Sequence, residues 1–330
     1  MLFYKDICSE AFEDKNINED IIEMNKNISR LIENAPPTHE IPFEVLRKIR
    51  SEGGGLLPDQ PKSKIAKNRI IEYNHSKISI REFVIENPKF IYMHIHGGGF
   101  CLGSSEGQDS GLEMMTKELE CTVISVDYRL SPEHPYPAPT DDCENTALWL
   151  IENMKSEYGA EKIVIGGESA GAHLSVTTLL RLKSKNLHHN IKAMNLVFGT
   201  YSANPLPSEI FSKDETLLLS SQMMKKFEDS YLQNNEDKTN PDVSPMFGNF
   251  NDMPPAIFTI GTKDVLLDHS LLLYSRWLAH NNIAEIIIVP GADHAFIAFP
   301  CKTTTAVTDE LNKFVPKPLK IKISMKILLR

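Results

Sequence analysis

A chain of 330 residues, 41% hydrophobic and 24% charged, can bury a large core as one domain with an insertion or as two smaller domains, and is not a disordered polymer. Its formal net charge of -9 repels phosphate backbones and no basic stretch interleaved with aromatics interrupts its motifs, so nucleic acid is not an expected partner. No apolar run approaches the ~20 residues that span a bilayer, so stable membrane insertion is not expected either.

The opening segment MLFYKDICSEAFEDK carries acids where a secretory signal needs a basic start and an apolar run. Cys8, Cys101, Cys121, Cys143 and Cys301 are an odd, scattered set without zinc-site spacing, which fits reduced thiols in a cytoplasmic protein and no metal.

Between residues 17 and 32, Ile17, Ile21, Met24, Ile28 and Leu31 recur at the period of an amphipathic helix, which Pro36-Pro37 ends. A second helix is expected from Pro42 to Arg50, closed by Gly53-Gly54-Gly55, and the two read as a separate packing unit. NRIIEYN and KISIREFVI, parted by Asn-His-Ser, predict a strand pair. The runs FIYMHI, CTVISVDY, KIVIGG, AMNLVFGT, PAIFTIG and AEIIIVP then alternate with helical patterns, the mark of a mostly parallel sheet flanked by helices.

That alternation breaks between Tyr201 and about Asn251, where Leu217 to Leu219, Met223, Met224, Phe227 and Tyr231 have helical spacing, and the stretch reads as an inserted cap. The expected division is 1–55 as amino-terminal cap helices, 56–200 with 252–315 as catalytic domain, 201–251 as cap insertion and 316–330 as a basic, frayed tail. No repeat or low-complexity tract is visible.

Gly167-Glu168-Ser169-Ala170-Gly171 lies between a strand and a helix pattern, where small flanking residues permit a strained turn that lifts the Ser169 hydroxyl above the sheet. His96-Gly97-Gly98-Gly99-Phe100 also follows a strand. Its glycines can turn amides inward to form, with the amide of Ala170, an oxyanion hole. Neither GxxxxGK[ST] nor GxGxxG is present, which argues against a phosphate loop.

A serine hydroxyl needs a base, and the base a carboxylate. His294 follows the last strand pattern, so its ring would be delivered to the same sheet edge as Ser169. His173 is expected in helix packing, His94 and His96 under the glycine turn, and His188, His189 and His269 on exposed polar stretches. For the acid, Asp252, Asp264, Asp268 and Asp293 all lie between serine and histidine; Asp264, three residues after a strand, is preferred, with Asp268 next.

With these motifs the sequence resembles the hormone-sensitive-lipase-like family of α/β-hydrolase esterases from about His94 to Phe296. Residues 127–138, DYRLSPEHPYPA, look like the family's DYRLAPEHPFPA segment, and Asp264-Val265-Leu266-Leu267-Asp268 like its DPLxD motif. The resemblance implies an α/β-hydrolase fold with a helical cap built from the amino-terminal helices and the insertion, oxyanion donors at Gly98, Gly99 and Ala170, and a Ser169, His294 and Asp264 triad. It implies hydrolysis of short-acyl esters, on a small-molecule ester partner. Preset amides would meet the charge on the tetrahedral oxygen, so no cofactor is expected, and a homodimer is an allowed assembly. Ala172, Val265 and Ala295 depart from the family pattern, and Arg129, Glu133 and Asp142 are expected to form structural ion pairs. An amidase or formamidase using the same triad, and a non-catalytic small-molecule receptor of the same fold, are the alternative readings.

Overall fold

The computed structural model describes residues 2–33, 35–58, 61–212 and 217–320. Eight strands form one sheet: β1 (Lys67–Tyr73), β2 (Ser76–Phe83), β3 (Ile91–Ile95), β4 (Thr122–Asp127), β5 (Ile163–Glu168), β6 (Ile191–Val197), β7 (Ala256–Gly261) and β8 (Ala284–Val289). Their order is β1-β2-β4-β3-β5-β6-β7-β8. Strands β1 and β2 are an antiparallel hairpin whose two loop residues, Asn74 and His75, both have positive φ, the backbone that a two-residue hairpin turn demands. Strand β2 runs antiparallel to β4, and every later pairing is parallel. All residues of β3 and β7 are buried, which is why they read as continuous apolar runs rather than alternations.

The helices are α1 (Glu19–Ile32), α2 (Phe43–Ser51), α3 (Asp109–Leu119), α4 (Ala138–Tyr158), α5 (Ala170–Ser184), α6 (Pro207–Ile210), α7 (Ser221–Tyr231), α8 (Leu267–Ala279), α9 (Lys302–Phe314) and α10 (Lys317–Lys320). Helix α4 packs on α5, and α9 packs on α1 and α3. Among the described residues no helix is long and apolar enough to cross a membrane. Residues 321–330 of the expected basic tail lie outside the described residues.

The two opening helices go to different places. Ile21, Met24 and Ile28 of α1 belong to the same buried cluster as the sheet, so α1 shares the main core instead of standing apart. Phe43 of α2 instead joins a second buried cluster with Cys101, Leu102, Leu219, Met223, Phe227, Val265 and Leu266. That cluster gathers α2, α7, the glycine turn after β3 and the loop after β7, so it sits over the carboxyl edge of the sheet. The Phe43 and Phe227 rings stack at 5.6 Å between centroids. Arg47 of α2 reaches down to the carbonyls of Cys101 and Ser131 and pairs with Glu133 at 2.8 Å.

Candidate active site

The parallel strands deliver four loops to one edge. Ser169 directly follows β5 with φ 56° and ψ −120°, outside the backbone regions that L-residues favour, and α5 begins at the next residue. Its neighbours must be small: a Cβ on Gly171 would lie 1.9 Å from the Ile95 carbonyl oxygen, and one on Gly167 2.1 Å from the same atom. Strand β3 therefore presses directly on the turn, and glycine is what the packing admits. The turn is held by the Ser169 amide, which donates to the Val197 carbonyl at 2.9 Å.

The loop after β8 places His294 Nε2 3.0 Å from Ser169 Oγ, and the loop after β7 places Asp264 Oδ2 2.8 Å from His294 Nδ1. A carboxylate only accepts, so Nδ1 carries the proton and Nε2 is left to receive one from the hydroxyl. The other Asp264 oxygen accepts the Leu266 amide at 2.8 Å, which fixes the carboxylate plane. Phe198 packs on the imidazole at 4.9 Å between centroids, and both Asp264 and His294 are buried. A base shielded from water and oriented by a buried anion can take the serine proton.

Among the described residues the amides of Gly98, Gly99 and Ala170 donate to no protein group, so all three are free to receive an anionic oxygen. The glycine turn is braced from below: His96 Nδ1 donates to the Gly97 carbonyl at 2.9 Å while its ring stacks on Tyr128 at 4.2 Å. Burial pushes the His96 imidazole down to about 4, so it stays neutral and serves as scaffold.

The other candidates separate. Asp268 lies in the first turn of α8 and accepts the Ser208 amide at 2.8 Å, while Asp252 lies in the loop before β7, at the opposite edge. His173 is buried in packing, with Nδ1 3.0 Å from the Thr200 carbonyl, and burial lowers it to about 4. Arg129 pairs with Asp142 and Glu133 with Arg47, the structural ion pairs expected. The expectation of exposed histidines fails at two positions: His269 and His188 are buried, because α8 turns His269 inward to accept the Tyr201 amide and the turn before β6 tucks His188 under the sheet edge.

Two residues matter beyond those singled out in the sequence. Glu168 bonds His94 Nε2 at 3.1 Å and Gln108 Nε2 at 3.0 Å; burial alone would raise its carboxyl, but electrostatic attraction to His94 and the hydrogen bonds from His94 and Gln108 hold it below its ordinary value. Asp293, weighed in the sequence only as a rival acid, accepts the amides of His294 at 2.6 Å and Leu217 at 2.8 Å, tying the insertion to the His294 loop. Burial, with the neighbouring Asp264 charge, pushes its carboxyl up to about 6. Its sequence signal, an acid before the histidine, is too generic to reveal that tie.

Residues 92–298 match the family model described as alpha/beta hydrolase fold, more than half of the chain. An acetyl esterase of Salmonella paratyphi A is 31% identical over 221 residues, 64% of this chain and 67% of that protein. A hyperthermophilic esterase from the archaeon Pyrobaculum calidifontis has the same fold with a TM-score of 0.79 at 22% identity, covering 90% of this chain and 97% of that one. A hormone-sensitive lipase from a metagenome library superposes with a TM-score of 0.78 at 20% identity, covering 92% and 100% of the two chains. The expected fold and the resemblance drawn from HGGGF, GESAG and DYRLSPEHPYPA are thereby met. This chain belongs to the hormone-sensitive-lipase-like family of α/β-hydrolase esterases and is a carboxylic ester hydrolase.

Proposed function

We propose that the chain cleaves short-acyl esters through an acyl-enzyme on Ser169, with His294 as base and then acid, and Asp264 as its orienting carboxylate. The observation that carries this is the continuous hydrogen-bonded line from Ser169 Oγ through both His294 nitrogens to Asp264, at 3.0 and 2.8 Å. Ser169 Oγ bonds to the ester carbonyl carbon as its proton passes to His294 Nε2. The tetrahedral oxygen accepts from the amides of Gly98, Gly99 and Ala170, each donor contributing on the order of 3 kcal/mol in the transition state. The carbon–alkoxide bond then breaks and Nε2 returns the proton to the leaving alcohol. Water, deprotonated by the same imidazole, attacks the acyl carbonyl and frees the acid and the serine.

Helices α2 and α7 act as the cap in this reading, supported by their shared cluster over the glycine turn. The short-acyl preference rests on the Phe227 ring against Gly99, which narrows the space above the carbonyl, and on the acetyl esterase activity named for the Salmonella relative. All five cysteines are free and three are buried, which suits a reducing compartment such as the cytoplasm.

A fluorophosphonate probe followed by peptide mass spectrometry tests the nucleophile, and p-nitrophenyl esters from acetyl to palmitoyl test the preference. The expected result is one adduct, on Ser169, with kcat/KM greatest for acetyl to hexanoyl esters. An adduct on another residue, or rates that climb to palmitoyl, would overturn the respective half of the proposal.

A further inference from the structure

At the opposite edge of the sheet, where β6 and β7 begin, three ligand-bearing side chains meet. His188 and His189 lie on a short turn between α5 and β6, and Asp252 stands in the loop that leads from the insertion into β7. Their donor atoms all lie within 4.8 Å of one another. His188 Nε2 is 3.6 Å and His189 Nε2 3.8 Å from Asp252 Oδ2, too far for hydrogen bonds. The two rings face each other at 3.9 Å between centroids.

His188 is the telling member. It is 5% exposed, yet neither of its ring nitrogens has a hydrogen-bond partner among the described residues. A buried imidazole with both nitrogens unmet costs desolvation free energy with nothing in return. Its Nε2 points to a carboxylate that stops short of bonding it, while His189 and Asp252 are open to solvent.

We propose that His188, His189 and Asp252 form a binding site for a divalent transition metal, zinc or a chemically similar ion. Two imidazoles and one carboxylate are the donor set such ions favour, with a fourth position left for water. A tetrahedral ion with bonds of ~2.1 Å holds its donors ~3.4 Å apart, so the separations across Asp252 need close by less than about half an ångström. Two cations stand near: Lys183, whose ammonium donates to the carbonyls of Asn249 and Asn251 and attracts Asp252, and Lys192, whose ammonium donates to the His189 carbonyl at 2.5 Å; these are the groups an arriving cation must offset. Strand β6 alone separates this edge from the Ser169 edge by roughly 20 Å, seven residues at a strand's rise, so the ion takes no part in ester cleavage. It would instead clip the exit of the insertion to the α5–β6 turn.

The test uses the untagged full chain, stripped with EDTA and titrated with ZnCl2 or CoCl2 by calorimetry and thermal unfolding. Asp252→Asn is the decisive variant, since Asn keeps the side-chain shape and tolerates the positive φ of this position while losing the anionic donor. The expected result is saturable binding of one ion per chain. Unfolding should rise by about 4 °C at a hundredfold excess over Kd, and cobalt should give a tetrahedral visible band. Asp252→Asn and His188→Ala should each lose that binding, and Asp252→Asn should hydrolyse esters like the parent. No saturable binding by the parent, or unchanged binding by a folded Asp252→Asn chain, would overturn the site.

Discussion

The ring of Phe227 lies so close to Gly99 that a Cβ on the glycine would fall 2.2 Å from Phe227 Cγ. The insertion thus packs on the residue whose amide is proposed to bind the oxyanion. Gly99 also has φ +60°, a conformation that costs an L-residue ~1–2 kcal/mol. Gly99→Ala should both displace α7 and tilt that amide, with kcat on a short ester falling about 10²-fold or more. Adding Phe227→Ala should recover the steric part of the loss and leave the conformational part. Steady-state kinetics of the two single variants and the double variant check this, and a Gly99→Ala rate equal to the parent's contradicts it.

Gly171 offers a purer stability test. The atom an alanine would add meets two backbone oxygens, Ile95 at 1.9 Å and His96 at 2.7 Å, neither of which can swing aside as a side chain does. Gly171→Ala should cost ~3 kcal/mol or more, read as a lower urea midpoint at unchanged m.

Ala295, one of the departures from the family pattern, occupies the left-handed region at φ 58°, the backbone that favours glycine. Relief of the left-handed cost, ~1–2 kcal/mol, competes with the greater freedom glycine gives the unfolded chain, ~0.4–1 kcal/mol. Ala295→Gly should therefore leave stability unchanged or raise it by up to ~1.6 kcal/mol. Ala295→Val, β-branched at the same φ, should lower it. Thermal unfolding of both variants checks the pair, and a clear loss with glycine contradicts it.

Asp293 should give stability a definite pH dependence. Its carboxyl is pushed from 3.8 to about 6 in the folded chain. Between those values the folded protein keeps a proton that the unfolded chain releases, so the group's contribution to stability falls as pH rises through this window and is lost above it. The difference is on the order of 3 kcal/mol. Asp293→Asn, which cannot titrate, should gain on the parent by that order between pH 4 and 7, read as the difference in denaturation midpoints at each pH. A constant difference across that range contradicts the assignment.

Much of this architecture is legible in the chain itself. The strands announce themselves because FIYMHI and PAIFTIG are buried on both faces, and the turn at Ser169 because glycine is what fits against Ile95. The edge at which a parallel strand ends is fixed by chain direction, so chain order alone puts Asp264 and His294 at the same edge as Ser169. Contacts between elements far apart in sequence carry no such periodic mark. Nothing in the Leu217 region says that its amide seeks Asp293, and nothing in the spacing of Ile21, Met24 and Ile28 says whether that helix joins the main core or the cluster above it. His188 departs from its sequence expectation for the same reason: a polar neighbourhood in sequence does not report the turn that buries one ring and exposes the next.

The most direct test of the account is the rate of short-ester hydrolysis by purified Ser169→Ala beside the parent and the Ser169→Ala/His294→Ala double variant. If the hydroxyl at the end of β5 forms the acyl bond, kcat should fall ~10⁶-fold in the single variant and no further in the double, with thermal unfolding unchanged within a few degrees. A Ser169→Ala chain that turns over the ester within a few-fold of the parent would contradict the claim that Ser169, His294 and Asp264 act as one nucleophilic unit.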